Sequence, residues 1–367
     1  MYSFIKQHEA RLLWFAKLMV LLALAMPLLF APRLIVYPFI TPKVFLFQIV
    51  VGLGVMAYGL LLLIDFPKYR PPRSLLTLLL LAWLAWLLIS ALLGVDFWRS
   101  FWANPERMVG VISIVHYLLW YVLLIALFRT KRDWQKIFML LLGSGVLVLL
   151  LGVWQHFVPG FLTGGSEIQR IASTLGNPIY LSLYAFYLLV ISIYIMWLTR
   201  RGHGAARMIT LGLGLLGAIT ILVLIWAKTR GAFVGAAAFV IWIAVFGALL
   251  GTKRWIKATS YTVLFIAVLG AALLAFGPKV NSLQSLPLVT QASNFSLHGG
   301  SIESRLRAWG GAIGVWKERP IAGWGWFNFE HGYNKWYRPE QLKHGLGETW
   351  FDSPHNMLLD ILTTTGG

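Results

Sequence analysis

The feature that most constrains this chain is a series of nine uninterrupted apolar segments. They lie at 12–31, 43–64, 74–95, 109–128, 136–158, 179–198, 208–227, 232–250 and 258–276. A helix needs about 20 apolar residues to cross a hydrocarbon core of about 30 Å. Charged residues make up only 12% of the chain, about half the usual share in soluble proteins. The sequence therefore predicts an all-α polytopic membrane protein with about nine transmembrane helices.

Lysine and arginine are distributed unequally between the two ends of these segments. With the N-terminus placed in the cytoplasm, the inside segments hold 15 of these residues and the short outside loops hold 7. Cytoplasmic loops are enriched in Lys and Arg, so we expect a cytoplasmic N-terminus. The net charge of +18 is scattered among the loops. It forms no basic run interleaved with aromatic residues, which argues for membrane lipids and against nucleic acid as partners.

This orientation predicts three regions of the chain. Residues 1–276 form the transmembrane bundle, residues 277–354 form a large external loop, and residues 355–367 begin a further, truncated transmembrane helix. The loop carries six of the 13 acidic residues, so polar chemistry is concentrated on the outer face. Apolar residues within the loop recur at spacings of four and three, which predicts an amphipathic helix. They are Ile302, Leu306, Trp309, Ile313 and Trp316.

Several basic residues on the predicted outer face are candidates for binding an anion. Lys228 and Arg230 lie in a short turn between two apolar segments, and a guanidinium can bind two phosphate oxygens at once. Arg305 lies four residues before Trp309, where it can stack on the indole ring. Contact with lipid headgroups is the alternative for all of these cations, including the neighbouring Arg307.

Three histidines are candidates for chemistry. His355 lies at the start of the last helix on the outer face, where it can act as a general base or a donor. A capping or packing role is the alternative. His116 and His156 lie in apolar segments, where an ionisable residue suggests function by default. A neutral imidazole that is hydrogen-bonded to a neighbouring helix is the favoured explanation for each of these two.

Signals for cofactors are absent from the sequence. It contains no cysteine, no Asp-x-Asp pair and no His, Asp and Glu cluster with metal-ligand spacing. It also lacks a phosphate-binding loop. We therefore expect an enzyme that uses no metal, nucleotide or other cofactor. Its substrate would then already carry the leaving group.

Four segments, taken in order, resemble the O-antigen ligase and O-antigen polymerase superfamily of bacterial inner-membrane glycosyltransferases. They are Gly176-Asn177-Pro178, Thr229-Arg230-Gly231-Ala232, Arg305-x-x-x-Trp309 through Pro320-x-x-Gly323-Trp324-Gly325, and His355-Asn356-x-x-Leu359. The resemblance covers residues from about 107 to the end of the chain and is sharpest in 170–367. Thr229 departs mildly from the family pattern, which more often has serine at this position.

The resemblance implies an activity and assigns roles. Such proteins move a glycan from undecaprenyl diphosphate to an acceptor hydroxyl at the periplasmic face, with inversion at the anomeric carbon. The resemblance implies that Arg230 and Arg305 bind the diphosphate. It implies that His355 activates or positions the acceptor. The further candidates for binding the lipid-linked donor are Lys228, Arg170, Arg107, Trp309 and Asn356.

Three acceptors are compatible with the resemblance. A ligase uses a sugar of the lipid A–core, a polymerase uses another lipid-linked repeat, and a protein O-oligosaccharyltransferase uses a protein side chain. One large loop late in the chain favours the ligase. A flippase or transporter of lipid-linked glycans is an alternative from a different class. It requires charged residues inside the bundle, and the middles of the apolar segments contain no Asp, Glu or Lys.

Overall fold

The computed structural model describes residues 6–32, 34–162, 170–199, 205–276, 300–344 and 350–367. These residues form helices joined by turns, and no strand occurs among them. The longer helices before the predicted loop are α1 (Glu9–Ala23), α2 (Thr41–Ile64), α4 (Leu75–Leu93), α6 (Val111–Leu127), α7 (Lys131–Phe157), α8 (Pro178–Thr199), α9 (Ala205–Ala227), α10 (Arg230–Leu250) and α11 (Arg254–Phe276). Two short helices, α3 (Phe66–Tyr69) and α5 (Phe97–Trp102), lie beside α4 in the chain.

Seven helices of the described part are long and apolar enough to cross a membrane, namely α2, α4, α7, α8, α9, α10 and α11. The apolar helix α6 is shorter, with 17 residues. The predicted all-α polytopic class is therefore confirmed. The first predicted segment, 12–31, differs from the structure because α1 ends at Ala23 and a 3₁₀ turn follows at Met26–Leu28. Pro27 lacks an N–H group, and in a continued helix its ring would clash with the carbonyl of Ala23, four residues earlier, which favours ending the helix there.

Contacts divide the chain into two compact units. The first unit comprises Met1–Thr229, Ile321–Asn328 and Thr364–Gly367. An apolar core of this unit lies where α1, α2 and α6 pack together. Val20, Leu61 and Leu123, one from each helix, are at most 1% exposed. These large side chains stabilise the unit through close packing between the helices.

The second unit comprises Arg230–Pro320 and Phe329–Thr363. Helices α10 and α11 form a hairpin within it. Its other helices are α12 (Gly300–Glu318), α13 (Phe329–Trp336), a 3₁₀ helix at Pro339–His344 and α14 (Met357–Thr365), whose last residues belong to the first unit. The predicted boundaries at 276 and 354 refer to the sides of a membrane and stay a prediction. Residues 277–299 and 345–349 of the predicted loop lie outside the described residues.

The packing of α13 on α12 depends on glycines. A Cβ atom added to Gly314 would lie 2.4 Å from the ring of Trp336, and one added to Gly311 would lie 3.0 Å from Tyr333. The carboxylate of Glu318 accepts hydrogen bonds from Lys335 Nζ (3.0 Å) and Trp336 Nε1 (2.7 Å). These bonds stabilise the ionised form and hold the pKa of Glu318 below its ordinary value. The two helices are therefore joined by ring-to-backbone packing and by a charged pair.

The predicted amphipathic helix of the loop is present as α12, but a different face of it is buried. Leu306 and Ile313, from the predicted apolar stripe, are 46% and 43% exposed. Ala308, Ala312 and Val315 are fully buried instead. Small side chains allow the neighbouring chain to approach the helix axis closely. The buried face is therefore the one with small residues, while Leu306 and Ile313 remain exposed and Trp309 and Trp316 are half-buried.

Candidate functional site

Within the first unit, Thr229, the first residue of its motif segment, lies beside the Gly176-Asn177-Pro178 segment, where α9 ends and α8 begins. Thr229 is buried, and its hydroxyl oxygen lies 3.3 Å from the carbonyl oxygen of Pro178. Arg170 donates from Nε to the carbonyl of Ala227 (2.9 Å) and from Nη2 to Thr229 Oγ1 (3.0 Å). The guanidinium thus caps the end of α9 and holds the residue that immediately precedes Arg230.

The chain between Arg170 and α8 is fixed on α7. Gln155 Oε1 accepts hydrogen bonds from the backbone N–H groups of Ala172 (2.9 Å) and Ser173 (2.8 Å). Gly176 has a φ of +71°, and a Cβ atom there would lie 2.4 Å from the ring of Phe39. A side chain at this position is excluded by both the backbone conformation and the neighbouring ring. This explains physically why the Gly176-Asn177-Pro178 segment begins with glycine.

Sequence reasoning missed two residues of this region, Lys43 and Gln155. Lys43 lies in the first turn of α2 and donates from Nζ to the carbonyl of Thr174 (2.5 Å). Gln155 is 4% exposed and lies near the end of the apolar helix α7. A polar side chain buried in an apolar helix needs hydrogen-bond partners. That requirement was the available signal for Gln155, but the sequence could not identify the partners.

The other candidate cations encoded near this region are Lys228, Arg230 and Arg107. Lys228 is exposed and has a φ of +47°, which places it at the tip of the turn between α9 and α10. Arg230 is the first residue of α10, and its side chain lies outside the described part of the structure. Arg107 lies in a turn beyond α5, where its backbone N–H binds Asn104 Oδ1 (2.9 Å). Arg170 is therefore the candidate cation that the structure ties to the turn before Arg230.

In the second unit, the Arg305-x-x-x-Trp309 part of the third motif segment meets the segment that contains His355. Trp309 Nε1 donates a hydrogen bond of 2.9 Å to the carbonyl oxygen of Pro354. Pro354 immediately precedes His355, and Trp309 lies one helical turn beyond Arg305. The bond therefore connects the helix that carries Arg305 to the segment that carries His355. The indole N–H is used for this connection.

His355 adopts an unusual backbone conformation. Its φ is +49°, and its side chain is exposed. The backbone N–H lies 3.3 Å from Ser353 Oγ, and the ring stands edge-on to Phe351 with centroids 5.5 Å apart. Non-glycine residues seldom have positive φ. Where such a conformation is held by its surroundings it often marks a functional position, which supports His355 as a candidate.

Asn356 caps the helix that follows. Its Oδ1 accepts hydrogen bonds from the backbone N–H groups of Leu358 (3.1 Å) and Leu359 (3.4 Å). An asparagine at the N-cap satisfies donors that the first helical turn leaves unpaired. This fixes the start of α14 directly after His355. The structure therefore places Asn356 in a capping position, while its role in donor binding stays a prediction.

Arg305 and Arg307 differ sharply although both lie on α12. Arg307 forms an ion pair with Glu303 and donates to the carbonyl of Glu340. Arg305 is exposed and has no hydrogen bond, ion pair or stacked ring among the described residues. The predicted stacking of Arg305 on Trp309 is therefore not formed. Arg305 is the cation of this pair that retains its guanidinium donors for a ligand.

The Gly323-Trp324-Gly325-Trp326 segment belongs to the packing of the first unit. Trp326 Nε1 donates to the carbonyl of Val109 (2.7 Å), and Gly325 N donates to the carbonyl of Thr364 (2.9 Å). The hydroxyl of Ser90 lies within hydrogen-bond distance of the carbonyls of Ala322 (2.8 Å) and Thr364 (2.9 Å). These contacts indicate a structural role for the segment, which forms a turn packed against the end of α4.

The histidines within the apolar segments have local partners. His116 Nδ1 lies 2.7 Å from the carbonyl of Ile112, one turn earlier in α6. The ring of His156 stacks on that of Trp226 at 4.0 Å between centroids. These contacts account for both side chains by packing and local hydrogen bonding. Among the described residues, no group of three His, Cys, Asp or Glu side chains is arranged to hold a metal ion.

The fold and these motif contacts define a multi-pass, all-α membrane protein with arginine and histidine side chains presented beside helix ends. Residues 215–367 match the family model for O-antigen ligase. This segment contains three of the four motif segments that carry the resemblance to the superfamily of O-antigen ligases and polymerases. Its members are glycosyltransferase-like enzymes that act on lipid-linked glycans. No curated protein matches the chain.

Proposed function

We propose that this protein is an O-antigen ligase that transfers a glycan from undecaprenyl diphosphate to a hydroxyl of the lipid A–core. The observation that carries the proposal is the hydrogen bond from Trp309 to Pro354 (2.9 Å). It connects the segments that present an arginine with available donors and an exposed histidine. Such a pair supplies both an anion ligand for the leaving group and a base for the acceptor.

In the proposed reaction, the acceptor oxygen attacks the anomeric carbon from the side opposite the diphosphate. The bond between this carbon and the phosphate oxygen breaks, and its electron pair remains on the diphosphate. His355 accepts the proton of the acceptor hydroxyl or orients that hydroxyl. Arg230 and Arg305 neutralise the charge that develops on the leaving group. The glycan is transferred with inversion, and undecaprenyl diphosphate is released.

The other candidate residues receive supporting roles in this proposal. Lys228 and Arg107 contribute positive charge near the donor, and Arg170 contributes through the turn that it holds at Thr229. Trp309 and Asn356 position the segment that contains His355. We place the reaction at the periplasmic face of the bacterial inner membrane, as the distribution of Lys and Arg between the loops predicts.

Gene deletion tests the proposed acceptor. The ligase assignment predicts that long-chain glycan disappears from the lipid A–core while lipid-linked polymer accumulates. Lipopolysaccharide with a single repeat would identify a polymerase instead. An unchanged lipopolysaccharide ladder with loss of protein glycosylation would identify a protein O-oligosaccharyltransferase. Loss of transfer with the lipid-linked donor accumulating on the cytoplasmic face would identify a flippase.

Metal independence is a separate part of the proposal. Purified protein with a lipid-linked donor and an acceptor should retain its rate after treatment with EDTA, because the arginines replace a metal as the source of positive charge. A matched sample in detergent without EDTA gives the reference rate. Turnover that is lost with EDTA and restored by Mg²⁺ or Mn²⁺ would contradict this part.

A further inference from the structure

An open pocket lies at the far end of the first unit from the turn that Arg170 holds. Helix α2 runs from Lys43, beside Thr174, to Ile64 near this pocket, and α7 runs back from Lys131 to Gln155. The pocket has a volume of about 730 Å³. Its lining combines Arg70, Arg73 and Arg129 with Ile125, Phe128, Trp134 and the prolines of segment 67–72.

Among the described residues, the arginines of the pocket have no acidic partner. No carboxylate lines the pocket, and the nearby acidic residues are already engaged. Glu9 accepts from Lys68 Nζ at 2.5 Å, Asp65 caps α3, and Asp133 caps α7 and lies 3.9 Å from Lys17. The three guanidinium groups therefore form no ion pair with any described residue. An anionic ligand is the partner that this charge arrangement lacks.

The pocket is held in shape by its own backbone contacts. Arg129 donates from Nε to the carbonyl of Ala126 (2.9 Å) and from Nη2 to the carbonyl of Arg70 (2.7 Å). Pro71 and Pro72 follow Arg70, and proline rings fix the backbone φ angle. Arg70 and Arg73 are therefore presented from a stiff segment. A guanidinium has five N–H donors, so Arg129 keeps donors beyond these two.

We propose that this pocket binds the phosphate-bearing headgroup of an anionic membrane lipid. Helices end or begin around it at Ile64, Leu75, Leu127 and Lys131, which is the depth of the headgroups when helices cross a bilayer. Arginine suits phosphate because its planar fork matches two oxygens, while Ile125 and Phe128 offer an apolar surface to an acyl chain. The charge distribution of the loops predicts that the pocket lies at the cytoplasmic leaflet, where basic pockets between helices recognise such lipids.

The test is a lipid titration of the purified full chain in detergent, with thermal unfolding as the readout. The probes are phosphatidylglycerol, phosphatidylcholine and inorganic phosphate. The pocket variant Arg70→Gln/Arg73→Gln is compared with Lys131→Gln/Arg132→Gln, which removes the same charge from residues that do not line the pocket. Arg73→Gln alone serves as a milder variant if the double variant unfolds.

We expect phosphatidylglycerol to raise the unfolding temperature of the wild type, and phosphatidylcholine and inorganic phosphate not to raise it. The pocket variant should bind phosphatidylglycerol about thirtyfold more weakly, because each basic residue near an anionic surface contributes about a factor of five. The control variant should bind like the wild type. The proposal would be overturned if both double variants lost the same affinity for phosphatidylglycerol. It would also be overturned if phosphatidylcholine raised the unfolding temperature as much as phosphatidylglycerol does. If only inorganic phosphate raised the unfolding temperature, the pocket would bind free phosphate and the proposed lipid ligand would be wrong.

Discussion

At the scale of single residues, Arg305 and Arg307 provide a matched pair. They lie on the same helix, but Arg307 is bound to Glu303 and to the Glu340 carbonyl, whereas Arg305 is exposed without a partner among the described residues. Arg305→Ala should lower the transfer rate about 10²- to 10³-fold, as expected for removing a donor from a developing anion. Arg305→Lys should recover only part of the rate, because an ammonium lacks the fork geometry.

Arg307→Ala is the control for this prediction. It should change turnover little, because the guanidinium of Arg307 is already bound to Glu303 and to the Glu340 carbonyl and is not presented to a ligand. The measurement is single-turnover glycan transfer with purified variants, with proteolysis to verify folding. If both variants are folded and lose the same activity, Arg305 has no special role in binding the leaving group.

Arg170 raises the question of whether it binds the donor directly or positions a neighbour. Its Nε and Nη2 groups are bound to Ala227 and Thr229, so we expect Arg170→Ala and Thr229→Val to act through one contact. Their effects on turnover should then be non-additive by at least about 0.5 kcal/mol. The measurement is a double-mutant cycle. Additive effects would instead indicate that Arg170 contacts the diphosphate independently of Thr229.

The sequence identified some of these residues better than others. Arg305 and His355 could be proposed because they belong to short motifs on predicted helix edges. The partners of Arg170 could not be foreseen, because Ala227 and Thr229 lie 57 and 59 positions away. The buried face of α12 was missed because periodicity gives weight to large apolar residues. Ala308 and Ala312 form that face through their small size.

At the scale of elements, the turn at Gly323-Trp324-Gly325 depends on its glycines. Gly323 has a φ of +68°, and a Cβ atom there would lie 2.4 Å from the backbone of Thr364. Gly323→Ala should destabilise the protein by about 1–2 kcal/mol from the left-handed conformation alone, with the clash added to this. Gly143→Ala is the control, since a Cβ atom added there would enter open space. Thermal unfolding in detergent gives both values, and equal melting temperatures would refute the assignment.

The helices themselves were largely predictable from apolar segment length. The exception is α1, which ends at Ala23 before Pro27 although apolar residues continue. Apolar composition alone does not end a helix, whereas a proline does. The docking of residues 321–328 beside α4 was not predictable either. It depends on backbone carbonyl groups that accept hydrogen bonds from Ser90. Every residue has such a carbonyl, so the sequence does not indicate which ones Ser90 binds.

At the scale of the whole molecule, orientation in the membrane is the first prediction to check. The chain contains no cysteine, so any labelling by a thiol reagent comes from the single cysteine that is introduced. Cysteines that replace Lys68 and Arg132 should be protected from an impermeant thiol reagent in intact spheroplasts, and one that replaces Glu340 should react. All three side chains are exposed in the structure. Labelling at 68 and 132 would reverse the orientation and place the motif residues on the cytoplasmic side.

The central claim is that His355 serves the acceptor while the arginines serve the donor. Its most direct test is glycan transfer as a function of pH by the wild type and by His355→Ala, with binding of the lipid-linked donor measured alongside. The wild-type rate should fall in acid as the imidazole becomes protonated and can no longer accept a proton. His355→Ala should be slow, should lack this acid limb and should bind the donor normally. A His355→Ala variant that binds the donor poorly and keeps the wild-type pH profile would contradict the account.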